Sequence, residues 1–299
     1  MPGDAPAPGI LLVDKPGGMT SHDVVARARR ALGTRKVGHA GTLDPMATGL
    51  LVLGIEGATR LLTFIVGLDK TYEATIRLGV ATDSDDADGT VTAATDASSL
   101  SSEAIRAAVE PLRGAISQVP SRVSAIKVGG KRAYALAREG VDVELAPREV
   151  VIHRFDVRAE RREGEVVDLD VVVDCSSGTY IRSLARDLGS ALGVGGHLTA
   201  LRRTRVGPFD VEGAATLEAL DGLPLLTPAA AAEAVLGRFE VSAEEARDLR
   251  HGKRLGEAAS RLSAPRAAAI DPDGALVGIV ERRGTDVKSA MNMPEEQSR

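Results

Sequence analysis

The chain has 299 residues, with 37 Lys and Arg against 42 Asp and Glu, 43% hydrophobic residues and only 2% aromatic ones. That length allows one large domain or a large and a small one, built on a core of Val, Leu, Ile and Ala, and the net charge of −5 weighs weakly against a polyanion partner while leaving local basic patches free to act. A single cysteine excludes an internal disulfide and a multi-cysteine zinc site, and with no long apolar run or secretory leader pattern the expectation is a reduced, cytoplasmic protein with no membrane span.

Residues 1–8 are rich in Pro and Ala and read as a disordered tail. Residues 10–13 read as a strand. Thr20 and Asp23 then form a capping box ahead of Val24, Val25, Ala28 and Leu32 at helical spacing, with Gly33 as the stop. The loop from Gly38 to Leu51 follows, GHAGTLDPMATGLL, and it places one carboxylate, Asp44, among small and apolar neighbours. Pro45 fixes its own φ and biases Asp44 toward extended geometry, and the glycines leave room for a large substrate. An aspartate in such a loop is by itself more often a turn-former than a catalyst.

A buried strand is expected at 50–55, and at 71–78 strict alternation puts Tyr72, Ala74, Ile76 and Leu78 on one face. The run TDSDDADG at 82–89 lacks the EF-hand pattern and reads as an acidic loop without a metal. A helix is expected at about 103–112. Residues 120–140 read as an exposed hairpin or helical excursion around Gly129 and Gly130, with Lys127, Lys131, Arg132 and Arg138 forming a basic cluster. Strands at 150–157 and 166–175 follow, the second setting Val167, Leu169, Val171 and Val173 against Asp168, Asp170 and Asp174, and ending at Cys175, read as a small buried residue. The next helix carries Ile181, Leu184, Ala185 and Leu188 and is expected to stop at Gly189. Arginines recur from 182 to 205, and each basic cluster alone is better read as a solvated face. Composition shifts near Leu223 into a module of about 70 residues, with a capping box at Ser242 and Glu245 and a hairpin signal, DPDG, at 271–274. The stretch from about 284 reads as a polar tail.

Four stretches change the weight of Asp44: LVDKPGGMTS at 12–21, GHAGTLDPMATGLL at 38–51, DKTYEAT at 69–75 and SSGTYIRSL at 176–184, with LRR at 201–203 behind them. Together they resemble the TruB family of tRNA pseudouridine-55 synthases from about residue 10 to residue 220. The resemblance implies an α/β (α+β) pseudouridine synthase fold, with a mixed, largely antiparallel central sheet flanked by helices and a small C-terminal β-containing PUA-like module. It implies a catalytic domain at 9–224 with an RNA-gripping insertion at about 121–146, the module at 228–284, and disordered tails at 1–8 and 285–299.

By the same resemblance Asp44 is the catalytic aspartate of an isomerase that breaks the N1–C1′ bond of uridine and joins C5 to C1′. Tyr72 stacks on the target base, although on its strand alone it would be core filler. Tyr180 is a second pocket tyrosine, and Arg182 pairs with the catalytic carboxylate. His39 helps extrude the nucleotide, Leu201 meets the uracil edge, and Lys15 is structural. Lys127, Lys131, Arg132, Arg202, Arg203 and Arg205 are candidates for gripping RNA phosphates, which would make binding strongly salt-dependent.

The reaction is redox-neutral, so no cofactor, nucleotide or metal is implied, and no GxxxxGK[ST], GxGxxG or HExxH pattern is present. The implied partner is the T arm of tRNA and the expected state is a monomer. Two other readings use the same residues: a tRNA-folding chaperone that does not need Asp44, and a carboxylate-dependent hydrolase, which would want a second paired acid. Whether Asp44 attacks C1′ or C6, or assists a glycal route, stays open.

Overall fold

The computed structural model describes residues 6–122, 127–128, 131–132, 145–220 and 225–294, with 127–128 and 131–132 as backbone only. In chain order the elements are β1 (Gly9–Lys15), α1 (Ser21–Ala31), β2 (Val37–Ala40), β3 (Thr48–Ile55), α2 (Leu62–Ile65), β4 (Lys70–Leu78), β5 (Val80–Thr82), β6 (Val91–Ala94), α3 (Ser102–Val109) and β7 (Gly114–Gln118). Next come β8 (Lys127–Val128), β9 (Lys131–Arg132), β10 (Arg148–Glu163), β11 (Val166–Cys175), α4 (Ile181–Ala191), β12 (Gly196–Val206) and β13 (Phe209–Asp210). The chain closes with α5 (Pro228–Leu236), β14 (Arg238–Glu240), α6 (Ala243–Arg250), β15 (Arg266–Ile270), β16 (Leu276–Arg283) and β17 (Asp286–Asn292). They form two compact units, one from residues 1–44, 50–66 and 207–299 and the other from 45–49 and 67–206.

In the first unit β3 lies between β1 and β2, antiparallel to β2 with His39 opposite Leu53. Helix α1 starts where the sequence says it should. Thr20 accepts from the Asp23 amide, and the Asp23 carboxylate accepts in return from the Thr20 amide at 2.8 Å. The helix then buries Val24, Val25 and Ala28 against Leu11, Val13, Leu51, Leu53 and Ile55. This apolar stripe, more than helix propensity, holds an 11-residue helix in place.

The same unit holds the C-terminal module, a four-stranded sheet in the order β14-β15-β16-β17. Its core is Phe239, Leu249, Ala269, Val277, Val280 and Val287 among others. The DPDG turn forms as expected: the Asp271 carboxylate accepts from the amides of Asp273 and Ala275. The expected tail from residue 285 is corrected in part. Residues 286–292 are strand β17, paired antiparallel with β16 from Arg283 opposite Asp286 to Gly278 opposite Asn292. Its alternation is hard to see because only Val287 of the strand is fully buried.

In the second unit the strands run β12-β4-β11-β10-β7, each antiparallel to its neighbours. The start of β3 also belongs here, with Thr48 and Gly49 pairing parallel to Arg202 and Arg203. The expected alternation holds. Tyr72, Ala74, Ile76 and Leu78 are buried beside Val167, Leu169, Val171 and Val173. On the opposite face Thr71 donates to Asp174, Thr75 to Asp170 and Arg77 to Asp168, each pair directly in register. Helix α4 buries Ile181, Leu184, Ala185 and Leu188.

Gly189 does not stop α4, which runs on to Ala191. It is a close-approach glycine: a Cβ there would lie 2.2 Å from the Gly195 carbonyl carbon and 2.3 Å from the Gly196 nitrogen. The expected excursion at 120–140 is described only as β8 and β9, paired antiparallel with Lys127 opposite Arg132. Gly129, Gly130, Tyr134, Leu136 and Arg138, the shift at 223–224 and the tails at 1–5 and 295–299 lie outside the described residues. Among the described residues no helix is long and apolar enough to cross a membrane.

Candidate active site

His39 and Asp44 belong to the first unit, and Tyr72, Tyr180, Arg182 and Leu201 to the second. In the first, the chain leaves β2 at Ala40 and reaches Asp44 through an irregular loop in which Leu43 is buried and Asp44 half-buried. Two contacts from the first turn of α1 hold this loop. The Ser21 hydroxyl accepts from the Leu43 amide at 2.9 Å and donates to the Leu43 carbonyl at 3.1 Å. The neighbouring His22 ring meets His39 edge-on, with centroids 5.6 Å apart and planes at 79°. Lys15 is fully buried, and its ammonium donates to the carbonyls of Pro16 at 2.9 Å and Met19 at 2.8 Å, closing the turn between β1 and α1. That is the supporting role the sequence suggests.

In the second unit Tyr72 and Leu201 are buried on adjacent strands, Leu201 opposite Ala74 and Tyr72 opposite Arg203. The Leu201 carbonyl accepts from the Thr48 hydroxyl at 3.4 Å. Tyr180 caps α4, and the Gln118 side chain grips its backbone from both ends. The Gln118 oxygen accepts from the Tyr180 amide at 2.9 Å, while its NH2 donates to the Tyr180 carbonyl at 3.1 Å. Arg182, two residues on, is 2% exposed. Its Nη1 donates to the Ser84 carbonyl at 2.8 Å and the Ser121 hydroxyl at 3.0 Å, and lies 3.5 Å from the Asp86 carboxylate. Arg186, one turn further, reaches Asp85 at 3.3 Å and the Val119 carbonyl at 2.7 Å.

The acidic loop therefore has a part that its sequence conceals. Ser84, Asp85 and Asp86 are buried and form the socket for two arginines of α4. Burial pushes the Asp85 carboxyl above its ordinary range, against the pull of Arg186. Gln118, Ser121 and Asp86 are the positioning residues that sequence reading missed. The one signal available was a run of acids followed about a hundred residues later by two arginines one turn apart.

Two expectations change. Arg203 is 1% exposed, because strand alternation turns it to the same buried face as Tyr72, so it is not a surface phosphate grip. Gly49 does not open space for substrate: its φ is +98°, and a Cβ there would lie 2.2 Å from the Arg203 carbonyl oxygen, so it serves the close packing of β3 on β12. Arg205 is half-exposed but already donates to Thr71 at 3.0 Å and lies 3.9 Å from Asp174. Arg202 lies 3.5 Å from the Thr48 hydroxyl, and the side chains of Lys127, Lys131 and Arg132 are outside the described residues.

Two ionisable groups near the start of β4 are shifted by burial. Lys70 drops to about 8, with repulsion from the Arg203 guanidinium adding to the desolvation. Cys175, in register with Lys70, is fully buried and rises to about 11, which disqualifies it as a nucleophilic thiol. Among the described residues no three His, Cys, Asp or Glu side chains gather as a metal-ligand set.

The chain matches known proteins along most of its length. Residues 29–181 match the N-terminal domain of TruB family pseudouridylate synthases. Residues 182–244 match the tRNA pseudouridylate synthase B C-terminal domain, and 236–294 the C-terminal model of tRNA pseudouridine synthase II. The tRNA pseudouridine synthase B of Arthrobacter sp. is 57% identical over 95% of both chains, and that of Mycolicibacterium paratuberculosis is 56% identical over 95% of this chain and 97% of its own. A solved H/ACA RNP bound to a substrate RNA containing 2′-deoxyuridine superposes with a TM-score of 0.70 over 97% of this chain and 86% of the other, at 24% identity, a likeness of fold.

Proposed function

The chain belongs to the TruB family of pseudouridylate synthases, and we propose that it isomerises the uridine at position 55 in the T loop of tRNA, with Asp44 as the nucleophile. It is a tRNA pseudouridine synthase, an isomerase. The observation that carries the proposal is the family match over residues 29–181, which contains His39, Asp44, Tyr72 and Tyr180 on loops and strand ends.

The chemistry needs no external reagent. The N1–C1′ bond of uridine breaks, the base rotates, C5 bonds to C1′, the C5 proton leaves and N1 gains one. A carboxylate suits this as nucleophile or as partner to a cationic sugar, and the released proton needs a general base. In a folded T loop the uridine must be extruded to be reached. His39 aids that step, Tyr72 replaces the lost stacking, Tyr180 walls the pocket, Leu201 meets the uracil edge through its backbone, and Arg182 supplies the counter-charge. The buried Ser84, Ser121 and Asp86 socket holds Arg182 for that task. Lys127, Lys131, Arg132, Arg202 and Arg205 supply phosphate contacts. The catalytic domain spans 9–224 with its insertion at 121–146, the C-terminal module runs from 228 through β17 to 292, and the protein acts as a cytoplasmic monomer.

The test is incubation with unmodified tRNA and mapping of pseudouridine by position. Wild-type protein should modify position 55, Asp44→Asn should yield no product while retaining tRNA affinity, and binding should weaken steeply with salt. Product from Asp44→Asn would overturn the catalytic assignment. A flat salt response would overturn the phosphate contacts.

A further inference from the structure

Asp44 sits in a loop without regular secondary structure, yet a nucleophile must be held to within a fraction of an ångström to be effective. The residue just before it, Leu43, is tied down by a buried side chain. Ser21 is 1% exposed, and its hydroxyl takes up both polar groups of the Leu43 backbone, accepting from the amide at 2.9 Å and donating to the carbonyl at 3.1 Å. That side chain mimics a short piece of sheet ladder where the strand pairing has ended. The next residue, His22, packs edge-on against His39 five positions before Asp44. Consecutive residues of one helical turn thus grip both ends of the loop.

The turn itself is stiff. It is closed by the reciprocal Thr20–Asp23 cap and anchored in the core by Val24. The turn ahead of it is closed by the buried Lys15 ammonium. Ser21 also gives its one hydroxyl proton and one of its two lone pairs to Leu43, so in the folded chain its hydroxyl is committed to the loop.

We infer that Ser21 is a positioning residue for the Asp44 nucleophile, with His22 doing the same for His39, so that the first turn of α1 is the rigid jig of the catalytic loop. The inference rests on the assignment of Asp44 as nucleophile. A jig acts on the reacting geometry and leaves the substrate-binding surface intact, so its loss should lower the rate of the chemical step without weakening RNA binding.

The experiment measures single-turnover pseudouridine formation at saturating enzyme, together with tRNA affinity and urea stability, for Ser21→Ala, His22→Ala and a control, Val25→Ala. The control loosens the same helix in the core without touching the loop. Ser21→Ala should lose roughly 10–100-fold in rate with Kd for tRNA within about twofold, while Val25→Ala keeps its rate wherever it is folded. His22→Ala should show the same split with a smaller loss. If Ser21→Ala does not fold, Ser21→Cys takes its place, because a thiol fills the space but bonds weakly. A wild-type rate in the Ser21 variant would overturn the inference. So would an equal loss in Val25→Ala at matched stability, or a loss of Kd as large as the loss of rate. An active Asp44→Asn protein would instead overturn the nucleophile assignment, so the two failures are distinguishable.

Discussion

Replacing Gly189 with Ala sets two effects of opposite sign against each other. In an open helix interior the change stabilises by roughly 1 kcal/mol, because glycine has more backbone freedom to lose on folding. In α4 the new Cβ would sit 2.2 Å from the Gly195 carbonyl carbon and 2.4 Å from its oxygen, where ordinary contact begins at 3.4 Å. The three nearest atoms it meets are all main chain, so no side chain there can swing aside, and the helix must part from the start of β12 by about an ångström. That start is already fixed by the amides of Val194 and Gly195, which both donate to the Gly189 carbonyl at 3.1 and 3.0 Å. Overpacking of this kind costs about 1–3 kcal/mol, and several backbone atoms met at once put this site at the upper end. Set against the propensity gain, the net loss is about 2 kcal/mol, or roughly 4–8 °C in melting temperature. Urea denaturation and thermal melting of the variant measure it directly. Because α4 carries Arg182, pseudouridine formation should slow as well. A variant as stable as the wild type, or more so, would refute the reasoning.

Two further outcomes are expected. Asp86→Ala should destabilise by roughly 3–5 kcal/mol, because it removes a carboxylate lying 3.5 Å from the buried Arg182 guanidinium, and calorimetry should register this as a large fall in melting temperature; a neutral effect would mean the remaining partners of Arg182 suffice. The alkaline profile should separate two groups. Lys70, held at about 8 against 10.5 unfolded, adds stability as pH rises from 8 to 10.5, since the unfolded chain binds the extra proton there. Cys175, held at about 11 against 9.0, loses stability from pH 9 to 11. Relative to wild type, Cys175→Ala should therefore gain between pH 9 and 11, and Lys70→Met should lose its advantage between pH 8 and 10.5. Parallel urea-midpoint curves for all three proteins would contradict both shifts.

What could be read in the sequence was what depends on near neighbours. The Thr20–Asp23 cap, the Ser242–Glu245 cap, the alternation of β4 and β11 and the DPDG turn each need only a few adjacent residues, and each is found as expected. The site motifs were legible because four of them recur in order, which is how Asp44 and Tyr72 stood out from ordinary turn and core residues. What escaped was long-range pairing. The acids at 85–86 have partners at 182 and 186, Gln118 grips a backbone 62 positions away, and Gly189 answers to Gly195 across a loop. Arg203 looked like one more surface arginine because charge, in a sequence, carries no sign of which way a strand faces. Strand β17 escaped for the opposite reason, since a half-buried edge strand with a single fully buried residue shows no clear period.

The solitary thiol gives the protein a built-in clock. Cys175 is fully covered, and its proton is held to about pH 11, so an alkylating reagent meets neither an accessible sulfur nor a thiolate while the sheet is closed. Its register partner is Lys70, two residues from Tyr72. The speed at which a reagent eventually marks this one sulfur therefore times how often β4 and β11 come apart, with no second cysteine to blur the reading.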